Sequence, residues 1–361
     1  MRQDKRIVSG RISCIPMTKS SPHGQNSLTK ENRISLVIPN YNGSATLARC
    51  LEAALSSRPA PREIVVADDC STDDSIKIIQ GYPCKLVRLA VHSGASAARN
   101  AGARSCTGEF LFFIDADCLL QEHTLAAAHA ALDASGDAVI GGTYTTTPFD
   151  RDFFSIFQSV FIHYSESRMR CPDYIAAHAM IIGSDVFRAC GGFTEKFLPI
   201  IEDVEFSHRL RTAGYKLIME PKILVQHIFN FTLLKSLKNA FRKSRYWTLY
   251  SLQNRDVLSD SGTASFGLKM NVSAFFLSVP LAALSPWSGS AVALAGVFSL
   301  FVVNVFLNRG LLRAFYDARG ISFALLAALY YMCLYPLAVG GGAARGIMNF
   351  LRLRAGNRRS R

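Results

Sequence analysis

The chain has 361 residues, 49% of them apolar and 19% charged, with a formal charge of +13 and a mean hydropathy of +0.17. This excludes a disordered tail and a disulfide-stapled mini-protein, and leaves room for one large domain plus an addition. Residues 1–32 hold 6 basic and 2 acidic residues, 33–220 hold 17 and 22, and 221–361 hold 17 and 3; an acidic centre with basic flanks excludes a nucleic-acid-binding core and favours contact with anionic lipid.

Residues 1–32 show no sustained period and read as a mobile basic leader. From Ile34 the pattern changes. Ile34-Ser35-Leu36-Val37-Ile38 predicts a strand stopped by Pro39, and Ala45 to Ser57 has helical spacing. Glu63 to Ala67 predicts a second strand ending in Asp68-Asp69, followed by a helix over Thr72 to Gln80. Lys85 to Leu89 is a third strand, Ala95 to Ala103 a helix, and Glu109 to Ile114 a fourth strand ending at Asp115. Strands alternating with helices predict an α/β fold, a mostly parallel sheet flanked by helices, with ligands bound beyond the carboxyl ends of the strands. Pro39-Asn40-Tyr41-Asn42-Gly43, Asp68-Asp69 and Asp115-Ala116-Asp117 all sit at those ends.

After the domain, assigned to 33–230, Phe231 to Tyr250 carries Lys235, Lys238, Arg242, Lys243 and Arg245 among apolar residues. That is the pattern of a basic amphipathic helix on a membrane surface, and the segment 231–267 is assigned to it. Residues 268–342 hold two to three apolar membrane segments. Leu268 to Leu284 and Ser288 to Leu307 approach the roughly 20 residues that cross a bilayer. With the domain in the cytoplasm, the first run goes out, Ser285-Pro286-Trp287 turns outside, and the second returns to Arg309, Arg313 and Arg319. A third full span from Ile321 to Val339 would strand the basic tail, 343–361, outside. A re-entrant or interfacial segment broken at Pro336 and Gly340-Gly341-Gly342 is therefore expected. The nine cysteines include no C-x-x-C pair and, with no signal peptide expected at the start, read as reduced packing thiols in a cytosol-facing domain.

Asp115-Ala116-Asp117 holds two carboxylates at the mouth of a buried strand. Few hard oxygen ligands suit Mg²⁺ or Mn²⁺ bridging to phosphate, so a divalent cation and a nucleoside diphosphate are implied. His92 to Gly102 begins with small residues before a helix holding Arg99, which either reaches a phosphate or pairs with a strand-end carboxylate. Glu202-Asp203 opens another helix; acids there suit the dipole, and Asp203 is also placed to act as a general base.

In this order, Val37-Ile38-Pro39-Asn40-Tyr41-Asn42, Val66 to Asp73, Gly94 with Ala98 to Gly102, Asp115-Ala116-Asp117, Gly191-Gly192-Phe193 and Glu202-Asp203 with Arg209-Leu210 and Gly214-Tyr215 resemble the family 2 inverting glycosyltransferases of GT-A fold. The likeness covers Arg33 to His227. It implies that Pro39, Tyr41, Asn42, Asp68 and Asp69 hold the base and ribose, and that Arg99, Asp115 and Glu202 belong to the nucleotide-sugar site. It also implies that Asp117, with His227, binds the divalent cation (Mg or Mn), and that Asp203 is the catalytic base. Cys70 stands where glycine is usual. Lys243-Ser244-Arg245-Tyr246-Trp247 lacks the Gln and the adjacent Arg-Trp of the Gln-x-x-Arg-Trp pattern of processive synthases, so single transfer is expected over processive synthesis, and the presence of the candidate metal and base acids favours an enzyme over a non-catalytic scaffold. The expected partners are a nucleotide-sugar donor and a lipid-linked or polysaccharide acceptor, at the inner cell membrane with the catalytic domain facing the cytoplasm. The Thr143 to Ala179 stretch is the expected acceptor region, with Phe153, Phe154 and Phe157 as core packing.

Overall fold

The computed structural model describes residues 33–195, 200–284 and 290–359; the leader and the Ser285-Pro286-Trp287 turn lie outside them. In chain order the elements are β1 (Ile34–Asn40), α1 (Leu47–Leu55), β2 (Glu63–Asp68), α2 (Ser75–Gln80), β3 (Lys85–Arg88), α3 (Ala95–Ser105), β4 (Phe110–Phe113), β5 (Cys118–Leu120), α4 (Thr124–Ser135), β6 (Val139–Tyr144), α5 (Phe153–Ser167), β7 (Met180–Gly183), α6 (Ser184–Ala189), α7 (Glu202–Thr212) and β8 (Leu217–His227). The helices α8 (Leu233–Asn254), α9 (Phe266–Leu284), α10 (Ser290–Leu307), α11 (Arg309–Leu329) and α12 (Tyr335–Arg359) follow.

The eight strands form one sheet in the order β3-β2-β1-β4-β7-β6-β8-β5. The first four are parallel, as their pattern predicts. Their apolar runs do not alternate with polar residues because both faces are covered. Leu36, Ile38, Val66 and Phe112 enter one core, while Val37, Val65, Leu111 and Phe113 enter the other. The first strand continues through Pro39, which pairs with Ala67 of β2. Pairing with β4 ends at Val37, so the missing N–H of Pro39 costs no ladder bond on that side. The other half is mixed: β7 is antiparallel to β4 and β6, and β8 is parallel to β6 but antiparallel to β5.

Among the described residues two helical stretches, Phe266–Ala283 and Arg309–Ala355, are long and apolar enough to cross a membrane, and Ala291–Leu307 is a shorter apolar helix. The third apolar run departs from the expected break. Its helix continues through Pro336 and the three glycines, and the irregularities lie earlier, at Gly320 (φ +77°) and in a π-helical turn over Tyr330–Leu334. Pro336 directly follows the π-helical turn, and the Tyr331 carbonyl five residues before it accepts from Asn271 Nδ2 instead of from a backbone N–H there. The glycines serve a contact instead. A Cβ on Gly342 would overlap the Phe241 carbonyl, and one on Gly346 would lie 2.6 Å from the Arg245 carbonyl and 2.9 Å from Thr248 Cβ. The backbones of α8 and α12 thus nearly touch. The other side of α8 packs on the domain, with Tyr246, Trp247 and Tyr250 against Tyr174, Ile201 and Val204. Phe153 and Phe157 of α5 pack on Tyr330, with ring centroids 6.1 and 4.8 Å away, so the C-terminal helices share the domain's core.

Gly346→Leu is expected to force α8 from α12 and destabilise the protein by about 1–3 kcal/mol, the usual cost of overpacking. Ala344→Leu, on the exposed side of the same helix, should leave Tm unchanged. Thermal unfolding of the detergent-solubilised protein checks both.

Candidate active site

The carboxyl ends of β1, β2 and β4 open into a cleft of about 860 Å³. At the β1 end, Asn42 adopts φ +50°, and its Oδ1 accepts from Thr72 N at 2.8 Å, tying this end to that of β2. Tyr41 stacks on His92 with centroids 4.0 Å apart, and both line the cleft with Pro39. This aromatic pair at the mouth offers a flat surface to a nucleotide base. His92 had been no more than the start of a small-residue segment in the sequence.

Adjacent in sequence, Asp68 and Asp69 do different work. Asp68 is fully buried, accepts from Asn40 Nδ2 at 2.8 Å and from Ser71, and does not line the cleft. Asp69 lines it, with its two oxygens accepting from Ser93 N and Gly94 N, each at 2.7 Å. It therefore shapes the loop that leads into α3. Cys70, the departure from the usual glycine, sits at φ +67°, the left-handed region that glycine occupies without strain.

Arg99 resolves the alternatives that the sequence left open. It is 5% exposed, and its two terminal nitrogens donate to Glu202 Oε1 and Asp115 Oδ1, both at 2.7 Å. Burial opposes the guanidinium charge, but Asp115 and Glu202 hold it, and the arginine is more strongly protonated than usual. Burial likewise raises Asp115, yet Arg99 brings its carboxyl below the ordinary value.

The remaining acids of the two pairs shift the other way. Burial, then the charge of Asp115, pushes Asp117 up to about 7. Its Oδ1 lies 3.5 Å from His227 Nε2, an approach fixed by antiparallel pairing of Cys118 with His227 across β5 and β8. Burial drives His227 down to about 3, so its imidazole is neutral. Asp117, Cys118 and His227 place possible ligand atoms within 4.8 Å of one another. An acid that lacks a counter-charge beside a neutral imidazole is a donor set that a divalent cation fits.

Asp203 lies across the cleft at the start of α7, accepting from Ala177 N at 3.2 Å and Val204 N at 2.8 Å. Burial, then the charge of Glu202, raises it to about 6. The same cleft is lined by His178, which the sequence did not single out, and by Lys243, which the sequence placed on a basic helix at a membrane surface. His178 stacks on Tyr144 at 4.0 Å, with its Nε2 3.4 Å from Glu166. The neighbours that make it a cleft residue come from β6 and α5, which no local pattern links to it.

Residues 35–182 match the family model described as Glycosyl transferase family 2. The chain is 33% identical over 94 residues to the uncharacterized glycosyltransferase YibD of Escherichia coli, an alignment covering 25% of this chain and 27% of that protein. It is 24% identical over 241 residues to glycosyltransferase AglE of Haloferax volcanii, covering 63% and 78%. Among solved structures, mannosyltransferase PcManGT from Pyrobaculum calidifontis in complex with GDP-Man and Mn²⁺ has the same fold, with a TM-score of 0.52 at 18% identity over 88% of this chain and 87% of that one.

Arg99→Met would leave Asp115 and Glu202 without their counter-charge and should cost about 3 kcal/mol. The pair stabilises the wild type above the ordinary carboxylate pKa and ceases to do so as pH falls through the depressed value of Asp115. The Tm difference should therefore be greatest at neutral pH and narrow on acidification, which a pH series of melts measures.

Proposed function

We propose that this chain, which carries a family 2 glycosyltransferase domain of GT-A fold, transfers one sugar from a nucleotide diphosphate sugar to a hydroxyl of a membrane-associated acceptor, with inversion at the anomeric carbon. The observation that carries this reading is the division of four carboxylates at one cleft. Arg99 engages Asp115 and Glu202, while Asp117 beside His227 and Asp203 across the cleft are left for chemistry.

In this reading Pro39, Tyr41 and Asn42 border the base and ribose, and Asp69 sets the loop beside them. Asp115, held by Arg99, faces the ribose or sugar. Asp203 accepts the proton of the acceptor hydroxyl as its oxygen bonds to the anomeric carbon. The bond from that carbon to the diphosphate oxygen breaks, and the nucleoside diphosphate leaves with the bonding electrons. With its proton affinity raised to about 6, Asp203 is a stronger base than an ordinary carboxylate yet still ionised at neutral pH. Asp117 and His227 would hold the divalent cation, Mg²⁺ or Mn²⁺, which when bound offsets the charge developing on the leaving diphosphate.

The membrane reading rests on α9 and α10, whose side chains are largely exposed, among them Val292 at 77% and Phe298 at 67%. They suit an out-and-back hairpin at the inner membrane, with the domain on the cytoplasmic side. The third apolar run buries Ala324, Ala327 and Tyr331 and exposes Ile321, Leu325 and Leu329, as suits a layer lying in the interface beneath the domain. A cleft held at this surface suits a lipid-linked acceptor, or a polysaccharide growing there.

Membranes carrying the protein should release nucleoside diphosphate from one of a panel of nucleotide sugars, dependent on Mg²⁺ or Mn²⁺. Asp117→Ala should abolish the metal dependence together with most of the rate. Asp203→Asn should lower kcat by about 10²–10⁴ with little change in donor KM; unchanged kcat would remove Asp203 from this role. Because the base must be deprotonated, the rate should fall below about pH 6. Glu202→Gln, which removes a charge that raises Asp203, should move that limb to lower pH.

A further inference from the structure

The positive groups lining the cleft are unequally committed. Arg99 is neutralised by Asp115 and Glu202, His92 Nδ1 lies 2.9 Å from Asp69, and His178 faces Glu166. Lys243 also lines the cleft, but among the described residues it has no carboxylate oxygen within 4.0 Å. The acids that act on it do so from farther off: Glu166, Asp203 and Asp115.

Its direction is set by the packing of α8. At about 100° per residue, Phe241, Ser244, Arg245 and Thr248 make one stripe, and these are the residues against Gly342 and Gly346 of α12. Lys243 falls on the opposite side, with Trp247 and Tyr250, which pack on the domain. The near contact of the two backbones therefore aims Lys243 into the cleft. This residue lies outside the segment that matches the family model.

We propose that Lys243 binds a phosphoryl group of a cleft ligand, so that the helix joining the domain to its apolar segments completes the anion site. A compact ammonium on a flexible stem suits phosphate as a point charge, and among the described cleft residues this ammonium, without a close carboxylate, is free to pair with it. The phosphoryl group belongs either to the diphosphate of the donor or to a phosphate carried by the acceptor. The inference rests on the nucleotide-sugar reading above.

The test uses the full chain in detergent with Lys243→Met and Lys243→Arg. One arm titrates UDP, GDP, CDP and dTDP with Mn²⁺ by calorimetry; the other compares farnesyl phosphate with farnesol. Loss of a charge-assisted hydrogen bond should weaken binding by about tenfold or more. A loss for each nucleoside diphosphate that the wild type binds, with farnesyl phosphate unchanged and binding largely restored in Lys243→Arg, assigns Lys243 to the donor. A loss for farnesyl phosphate with farnesol unchanged, again restored by Arg, assigns it to the acceptor. Wild-type binding matched by Lys243→Met in both arms, or a loss that Arg does not restore, overturns the inference and leaves the nucleotide-sugar reading intact. Failure of the wild type to bind any of the four nucleotides overturns that reading, and this inference with it.

Discussion

The site depends on one buried guanidinium. Arg99 is planar, permanently charged and donates from two nitrogens at once, so it joins the ends of β4 and α7 from its place on α3. Each of those ends carries two acids, and Arg99 takes one from each: Asp115 from the first pair, Glu202 from the second. Each pair is thereby split. The engaged Asp115 is held below the usual carboxylate range, while its neighbour Asp117 rises to about 7 and Asp203, beside Glu202, rises to about 6. Two like carboxylates placed close together differ in proton affinity when only one has a counter-charge. A single cation therefore separates acids that hold the site together from acids that it does not engage.

The parallel half of this arrangement was legible in the sequence. Runs such as Ile34 to Ile38, interrupted by the buried Ser35, and Phe110 to Ile114 are apolar on both sides because both faces of the sheet are covered, and the polar clusters that stop them fall at one rim. The rest depends on contacts that no local pattern encodes. Asp68 and Asp69 are neighbours of identical chemistry, and only the partners across the turn, Asn40 and Ser71 for one and the Ser93–Gly94 amides for the other, decide which lines the cleft. His227 meets Asp117 through antiparallel pairing of two strands about a hundred residues apart in the chain, one of them three residues long. A three-residue strand gives almost no periodic signal.

The C-terminal region shows how residues that break helices elsewhere acquire another meaning through packing. In isolation Pro336 and Gly340-Gly341-Gly342 signal a break. In the fold the proline follows directly on the π-helical turn, and Gly342 and Gly346, four residues apart, give α8 a surface without side chains. Small residues at that spacing let two backbones approach closely, which is how apolar helices associate where lipid removes the hydrophobic drive. The glycines weaken the helix locally, but the helix that packs on them is held from its other side by Tyr174, Ile201 and Val204.

Polar groups fasten the remaining apolar helices in the same way. Asn304 Nδ2 donates to Asn271 Oδ1 at 2.8 Å, Asn308 Nδ2 to Asn304 Oδ1 at 2.8 Å, and Tyr331 OH to Asn308 Oδ1 at 3.0 Å. Asn271 Nδ2 donates at 2.7 Å to the Tyr331 carbonyl, which lies in the π-helical turn, where the regular pattern of backbone bonds is interrupted. The asparagines on α9 and α10 would be costly in an apolar setting if unpaired; here they satisfy one another and that irregular turn. The turn belongs to the run that packs against α5 and leads into α12, and α12 holds α8 against the domain. A continuous chain of packed and hydrogen-bonded groups thus joins the apolar hairpin to the wall of the cleft, so that the apolar region fixes part of the shape of the site.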